Sequence, residues 1–242
     1  MARKPRIDLD GFHHIVNRGV ARSRVYRSDE DKRKFLEILC KACRNYKVNV
    51  HDYCLMDNHY HLLVETTAQN LSLFMRQVNA NYAIYFNKRY KRTGHLWQGR
   101  YRSWYVVNEA YLYMLFRYIE HNPIQAKLTR EIGAYPFTLL SSMLNRKQEV
   151  IPCARHSKLI KEYHHAGIQE LLEKPLNIKE QRTLEAEQKK PIAQEAHTFK
   201  QKKEIPLKEH FGDTKDTASR NSAVLKAIDD GYTQGEIARY LG

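Results

Sequence analysis

The sequence predicts an α+β fold in which helices pack on an antiparallel sheet, and two observations carry that expectation. The β-rich runs "NVHDYCLM" (49–56) and "HYHLLVE" (59–65) are separated only by Asp57-Asn58, so they read as a hairpin. On either side of that hairpin, segments with helical apolar spacing alternate with short extended runs, giving the order strand, helix, hairpin, helix, strand, helix.

"FHHIVNRGV" (12–20) is the first strand and ends at Gly19. "SDEDKRKFLEILCKACRNY" (28–46) opens with Ser28 as N-cap and acids in its first turn, then sets Phe35, Leu36, Leu39 and Cys43 at helical spacing. In the hairpin, Asp57 and Asn58 tolerate the left-handed backbone that a two-residue turn favours. From Leu71 to about residue 90, Leu73, Phe74, Val78, Tyr82, Tyr85 and Phe86 form a second helical stripe that ends in the basic cluster "NKRYKR" (87–92). "HLWQGRYRSWYVV" (95–107) reads as extended, aromatic and basic. "NEAYLYMLFRYIEHNP" (108–123) starts at a capping Asn108 and is expected to stop near Pro123, because a proline pushes the preceding residue out of the α region.

Residues 1–150 are therefore expected to form the first domain. Residues 151–216 read as a helical extension and charged linker, the stretch from Lys174 to about Asp216, rich in Glu, Lys and Gln, suiting a linker or a solvated helix. Residues 217–242 resemble the first two helices of a helix-turn-helix, with the turn at Gly231 and no recognition helix.

The net charge of +14 is uneven, with +12 in residues 1–150 and +2 in the rest. A folded domain with that excess attracts polyanions, and nucleic acid is the commonest of these in a cell. Cys40 and Cys43 have C-x-x-C spacing, but no second pair completes a zinc site, and both suit the apolar side of their helix. The start "MARKPR" lacks a secretory pattern and no apolar run is long enough to cross a bilayer, so no membrane partner and a cytoplasmic setting with reduced thiols are expected.

Alternate side chains of a strand share a face, so His59 and His61 leave the sheet together, about 6–7 Å apart at the backbone. That separation lets two imidazoles converge on one divalent cation; it also suits two histidines beside a turn. Glu65 shares the face but lies on the order of 13 Å from His61, too far for the same cation. On the 108–123 helix, Leu112, Leu115, Phe116 and Ile119 form the core stripe, and Tyr118 and Asn122 stand one turn apart beside it. They could bring a phenol and a neutral oxygen ligand to one ion, or serve as a core-edge tyrosine and a helix cap.

"HYHLLVE", "GHLWQGRY" and "RYIEHNPIQAKL", following Arg18-Gly19, resemble the REP-associated tyrosine transposases, single-tyrosine members of the HUH (His-hydrophobe-His) endonucleases. The resemblance covers roughly residues 5–145, with Asp57 standing where relatives commonly have proline. It implies a ferredoxin-like nuclease core, Tyr118 as nucleophile, and His59, His61 and Asn122 as ligands to Mg²⁺ or Mn²⁺. It also implies cleavage of single-stranded or hairpin DNA at palindromic repeats through a 5′-phosphotyrosine link, leaving a 3′-hydroxyl that can rejoin. No nucleotide triphosphate is needed for such an exchange, and the sequence has no P-loop.

Expected DNA contacts are Lys88, Arg89, Lys91 and Arg92 in one patch, and Trp97, Arg100, Tyr101 and Arg102 in the next run, since phosphate contacts plus stacking suit unpaired bases. Trp104 reads as core. By resemblance Arg3, Lys4, Arg6, Asn17 and Arg18 join the contacts. A monomer and a homodimer both remain open, as does a catalytically inactive, DNA-binding regulatory relative.

Overall fold

The computed structural model describes residues 9–145, 149–163, 166–189 and 205–212, with Ser219, Ala223, Lys226, Ala227, Tyr232 and Tyr240. The expected helix-turn-helix at 217–242 lies almost wholly outside the described residues. The chain divides into two compact units, the larger being Arg6–Lys189.

Four strands form that unit's sheet: β1 (Gly11–Arg18), β2 (Val48–Met56), β3 (His59–Thr66) and β4 (Arg102–Tyr105). They lie in the order β2-β3-β1-β4, and every neighbouring pair is antiparallel. With α1 (Asp29–Tyr46) between β1 and β2 and α2 (Leu71–Arg89) between β3 and β4, this is the βαββαβ ferredoxin-like arrangement.

Local chemistry accounts for the boundaries. Ser28 caps α1 in a reciprocal box with Asp31, and Lys47 ends it in a left-handed conformation (φ 53°) that turns the chain directly into β2. Gly19 closes β1 where a Cβ would meet the Ser23 carbonyl oxygen at 2.2 Å. The hairpin at 57–58 forms, but neither residue has a positive φ, so it is not one of the primed turns the sequence suggested. Tertiary bonds hold it instead. The Asp57 carbonyl accepts from the amides of Val25 (2.8 Å) and Tyr26 (3.0 Å), and its carboxylate pairs with Lys32 (3.1 Å).

The sheet has two differently used faces. Tyr60, Leu62, Val64 and Ile15, all fully buried, point toward α1 and α2, where Phe35 lies 5.0 Å from the Tyr60 ring and Asn79 accepts from the Tyr60 hydroxyl. The opposite face carries His14, Val16 and Arg18 of β1, His59 and His61 of β3, and Arg102 and Trp104 of β4, and is crossed by α3 (Glu109–Gln125).

Three expectations need correction. The extended run at 95–107 is reduced to β4 and a single bridge between Gly19 and Trp97, with bends at 98–100. Helix α3 does not stop before Pro123 but runs through it to Gln125; the proline is buried in the last turn, where only the Ile119 carbonyl loses a donor. Cys40 is not a reduced thiol but is joined to Cys153 in a disulfide, while Cys43 and Cys54 are free and buried.

The larger unit also continues beyond residue 150, where composition suggested a boundary. Helices α4 (Leu139–Leu144), α5 (Lys158–Glu162), α6 (Ala166–Glu173) and α7 (Ile178–Lys189) follow α3, and Leu159, Leu172, Leu176 and Leu184 join the main core. The buried Arg117 of α3 ties them down, donating to the carbonyls of Lys174 and Pro175 (both 2.8 Å) and to Glu180 (2.6 Å). Of the two readings offered for the charged stretch after Lys174, the helix holds over Ile178–Lys189, and Glu180 and Leu184 dock it. In the second unit a short helix, Leu207–Phe211, packs Phe211 with Ala223 and Ala227. Among the described residues no helix is long and apolar enough to cross a membrane.

Where α3 meets β2, Glu120 and Asp52 are wholly buried against each other. Burial, reinforced by the Glu120 charge, holds Asp52 well above the carboxylate range, and burial lifts Glu120 to about 7. Such a pair shares one proton at neutral pH. The Glu120 carboxyl also accepts from the Leu140 amide at 2.9 Å, so it positions α4 as well.

Two stability outcomes follow from these anchors. Arg117→Ala, which leaves Glu180 and two carbonyls without their donor, should cost about 3–5 kcal/mol and open the chain between 172 and 189 to protease. Unchanged melting and proteolysis would show that the clamp is ornamental. Because Glu120 has a folded pKa above its unfolded value, its contribution is present below pH 4.5 and is lost as pH rises toward 7. Glu120→Gln should therefore gain on the wild type across that window, by up to about 3 kcal/mol, in urea titrations at the two ends. A difference independent of pH would contradict the shared proton.

Candidate active site

The strand registers assemble the site. On β3, His59 stands opposite Arg18 and His61 opposite Val16, while Val16 is opposite Arg102 of β4 and His14 opposite Trp104. Since cross-strand partners share a face, six polar or aromatic side chains from three strands are gathered on the face that α3 crosses. β1 and β3 are the two central strands, so these positions have little freedom.

His61 is buried and lies parallel to His14, with ring centroids 5.4 Å apart, planes 13° apart, and His14 Nε2 3.2 Å from His61 Nδ1. Trp104 stacks on His14 at 5.3 Å. The His59 ring is 5.1 Å from that of His61, and its Nδ1 lies 2.6 Å from Asn58 Oδ1. Tyr118 projects from α3 onto this cluster, its ring edge-on to His61 at 5.4 Å and to His14 at 5.9 Å.

Asn122 lies one turn beyond Tyr118. Its side-chain amide donates to the Tyr118 carbonyl at 2.7 Å, and the C-cap of α3 is Ala126, so Asn122 is not the cap. The bond uses the amide nitrogen and leaves the oxygen.

The electrostatics favour neutral imidazoles. Burial pushes His14 down to about 3, and it depresses His59, where Arg18 adds to the effect. His61 is pushed well below the usual range by burial and by its two histidine neighbours. Burial raises the Tyr118 phenol and Glu185 adds to the rise, against the Asn122 hydrogen bond, which lowers it. Tyr118 is therefore a reluctant phenolate without a compensating positive charge.

The donor set suits a divalent cation. His59 and His61 each have one ring nitrogen engaged within the protein and a second left over, and Asn122 keeps its carbonyl oxygen. Two neutral imidazoles and an amide make a mixed nitrogen and oxygen set. Among the described residues no group of three or more His, Cys, Asp or Glu side chains is placed to hold a metal, so an amide or the substrate has to complete it. Glu65 is engaged elsewhere, 3.0 Å from His51.

A cleft of about 400 Å³ opens beside the cluster, lined by His14, His61, Tyr118 and Trp104 together with Asn17, Arg18, Arg100 and Arg102. A second cleft of about 440 Å³ shares Asn17 and Arg100 with it and adds Arg76, Trp97 and Tyr101. The two tryptophans differ from expectation. Trp97 donates to the Asn79 carbonyl (3.1 Å) and leans on the core rings of Tyr60 and Tyr82, whereas Trp104, expected in the core, is half-buried at the first cleft.

Asn17, Arg18, Arg100 and Arg102 thus meet at the Tyr118 cleft, with Trp97 and Tyr101 in the adjoining one. Lys88, Arg89, Lys91 and Arg92 line neither. Arg89 pairs with Glu30 (2.6 Å) and the buried Asp31 (3.4 Å) and so joins α2 to α1, while Arg92 folds back over the Phe86 ring of α2 at 5.6 Å. Arg3, Lys4 and Arg6 lie outside the described residues. His14 is the site residue that sequence reasoning missed; its only signal was the second histidine of "FHHIV", and the register that brings it to His61 is tertiary.

Residues 11–122 match the family model described as transposase IS200-like. Three solved structures are similar. One, of a REP-associated tyrosine transposase bound to a REP hairpin, is 17% identical with a TM-score of 0.48, covering 62% of this chain and 88% of that one. A transposase from Deinococcus radiodurans, assigned as such without experimental proof, is 20% identical with a TM-score of 0.36, covering 50% and 97%. A tRNA(His) guanylyltransferase from Saccharomyces cerevisiae is 13% identical with a TM-score of 0.38, covering 53% and 65%. No curated protein sequence matches the chain. The segment from β1 to Asn122, which holds the whole sheet and Tyr118, is the part of the chain that is similar to the IS200-like transposase family.

Proposed function

We propose that this domain is a metal-dependent single-strand DNA endonuclease and strand transferase with Tyr118 as its nucleophile. The observation that carries the reading is the edge contact of Tyr118 with His61 at a cleft that Arg18, Arg100 and Arg102 also line. A phenol, a histidine pair and three guanidinium groups are what cleavage of a phosphodiester by tyrosine requires. The family match and the three ordered motifs support it.

In the reaction the Tyr118 oxygen bonds to a backbone phosphorus and the bond from phosphorus to the 3′-oxygen breaks. The phenolic proton is lost and the departing 3′-oxygen gains one, leaving a 5′-phosphotyrosine and a 3′-hydroxyl. One phosphodiester replaces another, so attack by a 3′-hydroxyl reverses the step and rejoins DNA. His59, His61 and Asn122 would hold Mg²⁺ or Mn²⁺; when bound, such an ion draws charge from the phosphate oxygens and favours departure of the 3′-oxygen. Imidazole and amide donors suit Mn²⁺ better on softness.

The chain's own residues supply orientation. Trp104 and His14 fix the wall against which the Tyr118 ring packs, and the Asn122 amide holds the helical turn that carries both residues. Arg18, Arg100 and Arg102 bind phosphates, and the aromatic lining beyond Arg100 suits an unpaired base. Hairpin-forming palindromic DNA is the proposed substrate, DNA transposition and recombination the process, and the cytoplasm the setting.

With Mn²⁺ and a hairpin oligonucleotide carrying a single-stranded flank, the wild type should give a covalent protein–DNA band on a denaturing gel, and EDTA should abolish it. Tyr118→Phe should lose the band and keep hairpin binding. Absence of the band from the wild type would favour a DNA-binding regulator, and cut DNA with no covalent species would favour attack by water. Binding should also separate the two basic groups: Arg102→Ala should lower the salt slope for single-stranded DNA by about 0.7, while Arg89→Ala should lower the melting temperature and leave that slope alone. Equal slopes for the two variants would refute the division.

A further inference from the structure

We infer that His14 sets the tautomer of His61, accepting a hydrogen bond from its Nδ1–H so that Nε2 of His61 keeps a lone pair for the cation. The inference deepens the metal site proposed above and rests on it, and makes His14 a positioning residue.

The geometry is that of a hydrogen bond between imidazoles. His14 Nε2 and His61 Nδ1 are 3.2 Å apart and the ring planes only 13° apart, with centroids at 5.4 Å, so the rings meet edge to edge and an N–H in one plane points at the lone pair of the other. A neutral imidazole has one N–H and one lone pair, which leaves two arrangements. If His14 donates, the proton of His61 must sit on Nε2 and no donor atom remains for a metal. If His61 donates, its Nε2 is free. Only the second makes His61 a ligand.

His14 Nδ1 has no hydrogen-bond partner among the described residues; it carries the ring's N–H when His61 donates and a lone pair when His14 donates. The neighbouring histidine shows the same logic carried out by an amide. Asn58 donates its Nδ2 to the Arg22 carbonyl at 3.3 Å, which turns its Oδ1 toward His59 Nδ1 at 2.6 Å. An amide oxygen only accepts, so His59 carries its proton on Nδ1 and keeps Nε2 free. With His14 as acceptor, both histidines of the pair present the same atom. A second partner that fixes the ring and its tautomer is the usual companion of a metal-ligating histidine.

His14 is built to hold this position. It is fully buried on a central strand, with Trp104 at 5.3 Å and the Tyr118 ring edge at 5.9 Å. Its loss would leave His61 free to take either tautomer.

The test uses the full-length protein, the variants His14→Leu and His14→Gln, nitrogen-15 histidine spectra without metal, and Mn²⁺ titration. In the wild type His61 should be protonated at Nδ1; His14→Leu should lose that preference and bind Mn²⁺ 10–100-fold more weakly, and His14→Gln, whose side-chain oxygen can accept, should restore both. A wild-type His61 protonated at Nε2, or an unchanged tautomer and Mn²⁺ affinity in His14→Leu, would overturn the inference. If His14→Leu does not fold, His14→Gln decides: wild-type tautomer and affinity support the role, and loss of both counts against it. A wild-type protein with the Nδ1–H tautomer that takes up no Mn²⁺ would overturn the metal reading and leave the histidine pairing in place.

Discussion

Tyr118 meets the histidines because α3 lies across a sheet face that is polar, and packing a helix on such a face is the constraint around which the unit is arranged. Apolar packing alone cannot seat the helix there, since His14, His61 and Asp52 occupy positions that would otherwise be aliphatic. The polar groups are matched in pairs: His14 with His61, Asp52 with Glu120, and Arg117 on the far side with the carbonyls of α6 and its exit. The apolar stripe of Leu112, Leu115, Phe116 and Ile119 supplies the rest of the seat. A phenol held this way is placed by residues on both sides of its own helix.

Much of this was legible in local sequence. Strand alternation gave the shared face of His59 and His61, and helical spacing gave α1, α2 and the start of α3, because each depends only on near neighbours. What could not be read depends on register or distant partners. The bond between His14 and His61 requires that Val16 stand opposite His61, a one-residue choice that would otherwise turn His14 away. Trp104 escaped the same reading, since its place at the cleft depends on its standing opposite His14. Arg117 looked like one more basic residue until the segment at 174–180 supplied its partners. Helix α3 passes Pro123 because Ile119 and the proline are both buried, and tertiary packing outweighed a local preference.

The distribution of charge carries a similar lesson. Two clusters of comparable composition lie close in sequence, yet Arg89 is committed to Glu30 and Asp31, where it helps dock α2 on the first turn of α1, while Arg100 and Arg102 remain at the cleft. Net charge pointed to a polyanion as partner; neighbouring carboxylates decide which arginines are committed within the protein.

The turn before His59 shows how one position can be filled in chemically unrelated ways. Asp57 has a negative φ, a backbone setting that an imino-acid ring at the second turn position also satisfies, and its carbonyl, not its amide, makes the bonds to Val25 and Tyr26. Relatives with a cyclic residue there would keep both bonds and gain stiffness from covalent ring closure, whereas this chain obtains its stiffness from Lys32, drawn from α1 across to the hairpin tip. The aim of the first imidazole is therefore coupled in this protein to the seating of a helix on the other face of the sheet, a dependence that a ring-locked loop would not have.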